Sequence, residues 1–139
     1  MAVTIAGHWE RGWRAPLEEY NDWIHPLREF GLDEFWMSPV TGIGLSRCKE
    51  RASIDEILAE NPDSVRVYID ESASTTLDDF VHPENAIYIL GRTGYSPYVT
   101  HKTDQDLAVK IPTVTNQAGF WGHQAAILIL YDRLKKGGF

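Results

Sequence analysis

Five histidines (His8, His25, His82, His101 and His123), the lone cysteine Cys48 and 20 acidic side chains are the groups in this 139-residue chain that could move protons, bind metals or attack substrates. Their spacing supports few of those uses. The histidines stand in no paired spacing, with carboxylates or with Cys48, of the kind that ligates zinc. A single cysteine excludes an internal disulfide and cysteine-pair redox chemistry, and it fits a reducing compartment. There is no G-x-S-x-G nucleophile elbow and no Walker phosphate loop, and Gly42-Ile-Gly44 lacks the third glycine of a dinucleotide fingerprint. The adjacent acidic pairs Glu18-Glu19 and Asp78-Asp79 would not face each other on a helix and read as solvated surface. What remains are loops of glycine and small polar residues: Gly91-Arg-Thr-Gly94-Tyr-Ser-Pro after Leu90, and Pro112-Thr-Val-Thr-Asn-Gln-Ala-Gly119-Phe-Trp-Gly122 after Ile111. Together with the segment after Ile69, they could enclose a small ligand with backbone donors and acceptors, although ordinary turn chemistry also accounts for them.

Such loops need a sheet to hold them. Short apolar runs alternate with helical patterns, which predicts an α/β chain. Five runs read as strands: Val3 to Ala6, Glu34 to Met37, Val65 to Ile69, Ala86 to Leu90 and Leu107 to Ile111. The run from Ala86 is almost wholly apolar, as expected of a central strand covered on both faces. Leu17, Tyr20, Trp23, Ile24, Leu27 and Phe30 recur at helical spacing up to a stop at Gly31, with Pro26 expected to kink or divide the helix. Ser53-Ile-Asp-Glu56 has the spacing of a reciprocal cap on a short helix that ends at Asn61-Pro62. Phe120 to Lys136 predicts the longest helix, with Arg133, Lys135 and Lys136 opposing the carbonyl end of its dipole. Its apolar residues, Ala125 to Tyr131, run almost around the cylinder, so either the helix is deeply buried or a second subunit covers one side, and a homodimer through this helix is the favoured expectation. The same run is too short to cross a bilayer, and the first residues lack a secretory pattern, so a cytoplasmic protein without membrane contact is expected. With 43% hydrophobic residues and no repeat or linker, residues 1–139 are expected to form one domain.

Three segments carry a family likeness. Pro83-Glu-Asn-Ala-Ile-Tyr-Ile-Leu-Gly91, Val109-Lys-Ile-Pro112 and Gln124-Ala-Ala-Ile-Leu-Ile-Leu-Tyr-Asp132 resemble the SPOUT class of RNA methyltransferases, especially its minimal ribose 2′-O-methylating members. The spacing from Ile69 to Gly91 and from Ile111 to Asp132 keeps the family pattern without gaps; Val3-Thr-Ile-Ala, Arg28-Glu-Phe-Gly31 and Asp33 to Pro39 resemble its first elements more loosely. The resemblance implies a mostly parallel sheet of five or six strands flanked by helices, with a C-terminal trefoil knot whose loops bind S-adenosylmethionine. Carried over by position, the cofactor-binding residues are Ile69, Gly91, Gly94, Ile111, Thr113, Gly119 and Phe120. The departures concern chemistry. The first-helix arginine of the family falls on His25 and its asparagine companion on Glu19, with Arg28 one turn away; the acidic residue of the second motif falls on Thr93, and the Ser-Leu-Asn-like triplet on Gly119-Phe120-Trp121. His25 and Arg28 are thus the catalytic candidates, His25 as the base, since imidazole is the side chain suited to moving protons near neutral pH.

The resemblance implies RNA as substrate, with the ribose of a tRNA as the expected acceptor. A net charge of −7 opposes broad binding to phosphates. A local patch would have to come from Arg47, Lys49 and Arg51, or from Arg11, Arg14, Arg28 and Arg92 should the first and fourth strands be neighbours. Trp9 and Trp13 are candidate stacking surfaces for an unpaired base, whereas Trp23 and Trp36 read as core. The alternative function is a non-catalytic knotted dimer of the same class that binds RNA, a small ligand or a protein partner.

Overall fold

The computed structural model describes residues 2–9, 15–42, 44–45, 47–91, 95–115 and 122–137. Six strands form one all-parallel sheet: β1 (Val3–His8), β2 (Glu34–Ser38), β3 (Lys49–Glu50), β4 (Val65–Ile69), β5 (Ala86–Leu90) and β6 (Leu107–Val109), in the order β3-β2-β1-β5-β4-β6. Its helices are α1 (Pro16–Glu29), α2 (Ile54–Ala59), α3 (Pro97–His101) and α4 (Gly122–Lys135). β1 and β5, registered Val3 to Ala86 and Ala6 to Ile89, lie at the centre, so the first and fourth predicted strands are neighbours. β5 is buried along its whole length, as its apolar run predicts.

The sheet buries side chains on both faces. On one, Ile5, Phe35, Met37, Val67, Tyr88 and Leu90 pack against Trp23, Ile24 and Leu27 of α1 and Ala126, Ile129 and Leu130 of α4. On the other, Ala6, Trp36, Tyr68, Ile87 and Ile89 pack against Ile54, Ile57 and Leu58 of α2. α1 remains one helix through Pro26. At the start of α2 the Ser53 hydroxyl accepts from the Glu56 amide, while the Glu56 carboxylate accepts from the Ala52 amide rather than from Ser53. Trp9 is buried in the core beside Trp23, so it offers no stacking face; Trp13 lies outside the described residues. Among the described residues, no helix is long and apolar enough to cross a membrane.

Arg133 lies in the last turn of α4 as expected, and it is buried there: 2% exposed, it forks onto the carbonyls of Pro83 (2.6 Å) and Glu84 (2.9 Å) and the Tyr88 hydroxyl (2.8 Å). His82 joins the same network, with Nδ1 2.8 Å from the Tyr88 hydroxyl and Nε2 2.7 Å from Asp132. Lys136 bonds Asp132 and the carbonyls of Leu77 and Phe80. The Tyr88 hydroxyl accepts from Arg133, and with a neutral ring its own proton goes to His82 Nδ1 while Nε2–H donates to Asp132.

Burial pulls the His82 pKa down, the nearby Arg133 and Lys136 charges add to this, and Asp132 only partly opposes it. A folded-state value below the unfolded one, about 6.5, means that stability is complete above that pH and falls as acid charges the ring. The urea midpoint is expected to hold level above about pH 6.5 and to decline as the pH falls from there toward about 5, and His82→Asn to flatten that decline. A wild-type midpoint that stays level over this range would refute the assignment.

Candidate functional site

In a parallel sheet every strand delivers its following loop to the same end, and ligands collect where the strand order reverses. Here that point is the β1/β5 boundary: β2 and β3 extend to one side of it, β4 and β6 to the other. His8, at the end of β1, and Tyr95, in the loop after β5, contact each other across the boundary with ring centroids 4.6 Å apart. Gly91 follows β5 directly. A Cβ there would press into the Tyr95 carbonyl and lie 2.9 Å from Pro97 Cδ, so the loop can fold back this tightly only around a glycine.

Ile69 ends β4 half-buried, and Asp70 follows it. Asp70 accepts from the Ser72 amide (2.9 Å) and hydroxyl (2.6 Å) and from the Ser96 hydroxyl, tying the β4 loop to the start of α3. Burial pushes the Asp70 carboxyl up, but these hydrogen bonds outweigh it and hold it below the ordinary aspartate value. Beyond β6, Ile111 packs partly buried against the core, and the Thr113 hydroxyl is buried with no hydrogen-bonding partner among the described residues. A buried hydroxyl in that state leaves bonding capacity for a ligand. Ile69 at the end of β4 and Gly91, Ile111 and Thr113 in the loops after β5 and β6 therefore stand at one end of the sheet, while Gly94, Gly119 and Phe120 lie outside the described residues. A close glycine turn and an unsatisfied hydroxyl fit a nucleoside-like cofactor held largely by backbone groups.

His25 and Arg28 are both exposed on α1. His25 lines an open groove of about 500 Å³ with Asn21, Asp22 and Pro26 of α1, and His123, Gln124 and Ile127 of α4. The structure adds a pair that the sequence does not show: Glu19, a buried carboxylate, lies 3.3 Å from His123 Nδ1. The two are 104 residues apart, and no local spacing could reveal them.

The basic cluster is largely occupied. Lys49 bonds Glu34 at 3.0 Å, Arg51 is paired with Glu60, and both cations lie over the Trp36 ring. Cys48 is no nucleophile in this setting, because burial and the Glu50 charge push its thiol up to about 12.

This architecture is that of the SpoU and TrmH RNA methyltransferases of the SPOUT class. A candidate RNA methyltransferase from Bacillus anthracis superposes with a TM-score of 0.74 and 14% identity, over 97% of this chain and 94% of that one. AviRb, a SpoU methyltransferase of Streptomyces viridochromogenes in complex with AdoMet, gives 0.72 and 16%, over 98% of this chain and 58% of AviRb. A structure addressing the 2-OH methylation of C/U34 on tRNA gives 0.71 and 13%, over 98% and 97%. At these identities the likeness is one of fold. No family model matches the sequence, and no curated protein matches it.

Proposed function

We infer that the protein is an S-adenosylmethionine-dependent RNA methyltransferase acting on a ribose hydroxyl, with tRNA as the expected substrate class. The observation that carries this reading is the juxtaposition of the loops after β4, β5 and β6 at the strand-order reversal, in a fold shared along nearly the whole chain with RNA methyltransferases. Ile69, Gly91, Ile111 and Thr113 hold the cofactor, together with Gly94, Gly119 and Phe120. The cofactor supplies an electrophilic methyl group. His25 and Arg28 flank the acceptor from α1, Arg28 as a phosphate contact. The C-terminal segment is threaded as a trefoil knot. In support, Lys110 pairs with the segment before β5 through Thr75 and Leu77, and α4 then returns to the sheet centre with its end against residues 77–84. The Leu128 and Tyr131 side chains are exposed on α4, and they form the face through which two copies pair in the cytoplasm.

Calorimetric titration with S-adenosylmethionine tests the cofactor, and transfer of a labelled methyl group to a pool of unmodified tRNA transcripts tests the reaction. Saturable binding with transfer is expected; a folded protein that takes up no cofactor at millimolar concentration overturns the reading. The neutralised Lys49 and Arg51 favour a second reading, a cofactor-binding relative that does not modify RNA, and binding without transfer would select it.

Thr113→Val provides a sharper check. Removing a hydroxyl that bonds none of the described residues should leave the ligand-free protein as stable as before or slightly more stable, while one lost hydrogen bond weakens cofactor binding by about tenfold. Thermal melts with and without cofactor separate the two effects. Equal affinity in the variant would remove Thr113 from the site.

A further inference from the structure

We propose that His123, held by Glu19, is the base that takes the proton from the RNA hydroxyl undergoing methylation; this rests on the methyl-transfer reading above. Glu19 projects from α1 with its side chain only 9% exposed, and His123 stands on the first turn of α4 at 14%. A carboxylate removed that far from water is costly unless something charged or hydrogen-bonded answers it, and His123 Nδ1 does so at 3.3 Å. In a neutral imidazole this bond places the proton on Nδ1 and makes Nε2 the basic nitrogen.

The position of the ring is fixed by the core. Trp23 meets it edge-on with centroids 6.1 Å apart, and the same indole packs between Gly7 of β1 and Gly122, the residue before His123. A Cβ on Gly122 would lie 3.9 Å from the Gly91 carbonyl, so the first turn of α4 abuts the loop assigned to the cofactor. The groove shared with His25 and Asp22 gives an acceptor nucleotide access from solvent. His25 lies on the exposed side of α1, and among the described residues no carboxylate is hydrogen-bonded to it.

In the step itself the hydroxyl oxygen forms the new bond to the methyl carbon, the carbon–sulfur bond breaks with its electron pair remaining on sulfur, and the hydroxyl proton passes to His123 Nε2. Glu19 is a positioning residue: it fixes the tautomer and offsets the positive charge that develops on the ring.

The experiment has two readouts. Nitrogen-15 spectra of the imidazole report the tautomer: His123 should carry its proton on Nδ1 in the wild type and shift toward Nε2–H in Glu19→Leu. Single-turnover methyl transfer to unmodified tRNA transcripts should fall by about 100-fold or more in His123→Ala, with partial rescue by imidazole in the buffer, and much less in His25→Ala. Wild-type transfer retained by His123→Ala, or a tautomer indifferent to Glu19, overturns the role while leaving the methyltransferase reading intact. A wild-type protein that transfers no methyl group overturns the reading and this role with it.

Discussion

Gly91→Ala is expected to cost more than about tenfold in S-adenosylmethionine affinity and about 1–3 kcal/mol in stability. The glycine does not adopt a left-handed conformation, so the penalty is one of space. The added methyl would collide with the Tyr95 carbonyl and with the Pro97 ring, which are backbone and a constrained ring at the start of α3. Neither can swing aside as a flexible side chain would. The loop must open, and opening it displaces Tyr95 from His8 and Ser96 from Asp70, the two contacts that join it to the loops of β1 and β4. A displacement of about 1 Å at a binding loop is enough to cost about 100-fold in rate, so methyl transfer should suffer more than binding. Urea unfolding and calorimetry on the same preparation measure the two losses. A variant that binds cofactor as the parent does would place the ligand elsewhere.

Arg133→Ala is expected to destabilise the fold by about 3–5 kcal/mol, a large share of the roughly 5–15 kcal/mol typical of a domain. The side chain makes three hydrogen bonds, two of them to carbonyls of the segment entering β5, and it spans from α4 to that segment. Truncation leaves those acceptors without a donor and opens a cavity where the stem packed. Arg133→Met separates the contributions: it keeps most of the stem and removes the fork, so about 2–3 kcal/mol should remain. Should Arg133→Ala fail to fold, the Met variant still gives a measurable urea midpoint. Equal stability of Arg133→Met and wild type would show that apolar packing alone holds the end of α4.

The readable parts of the sequence were those where burial imposes a local pattern. β5 starts and ends where its apolar run does, because a strand covered on both faces leaves its signature in consecutive residues, and β4 keeps the bounds that its alternation of Val65, Val67 and Ile69 with Arg66 and Tyr68 marks. β6 stops at Val109 rather than Ile111, since its partner β4 ends at Ile69 and Lys110 pairs instead with Thr76. β3 is two residues long and α3 five, too short for any periodicity to register, although Ser96 as N-cap and Pro97 at the first helical position do mark the start of α3. Of the site, the loops were legible because glycine, proline and small residues cluster in them. The proton-handling groups were not. His82 with Asp132, and Glu19 with His123, meet only because the chain returns over itself after 50 and 104 residues. The partners of Arg133 were hidden for a different reason: a basic last turn looks the same whether the helix end faces water or a neighbouring segment.

The β1/β5 boundary divides the sheet in sequence as well as in space: β1, β2 and β3 come from the first 50 residues, β4, β5 and β6 from residue 65 onward. The protein is therefore built as two lobes that one hydrogen-bonded ladder joins and that α1 and α4 on one face and α2 on the other cover in common, so exposing the two central strands requires those lobes to part. A molecule bound across the joint resists that parting and acts as a clasp, so occupancy of the cleft should protect the amides of both central strands from exchange. Cut in the turn before β4, the lobes become complementary fragments whose reunion a cleft ligand would promote.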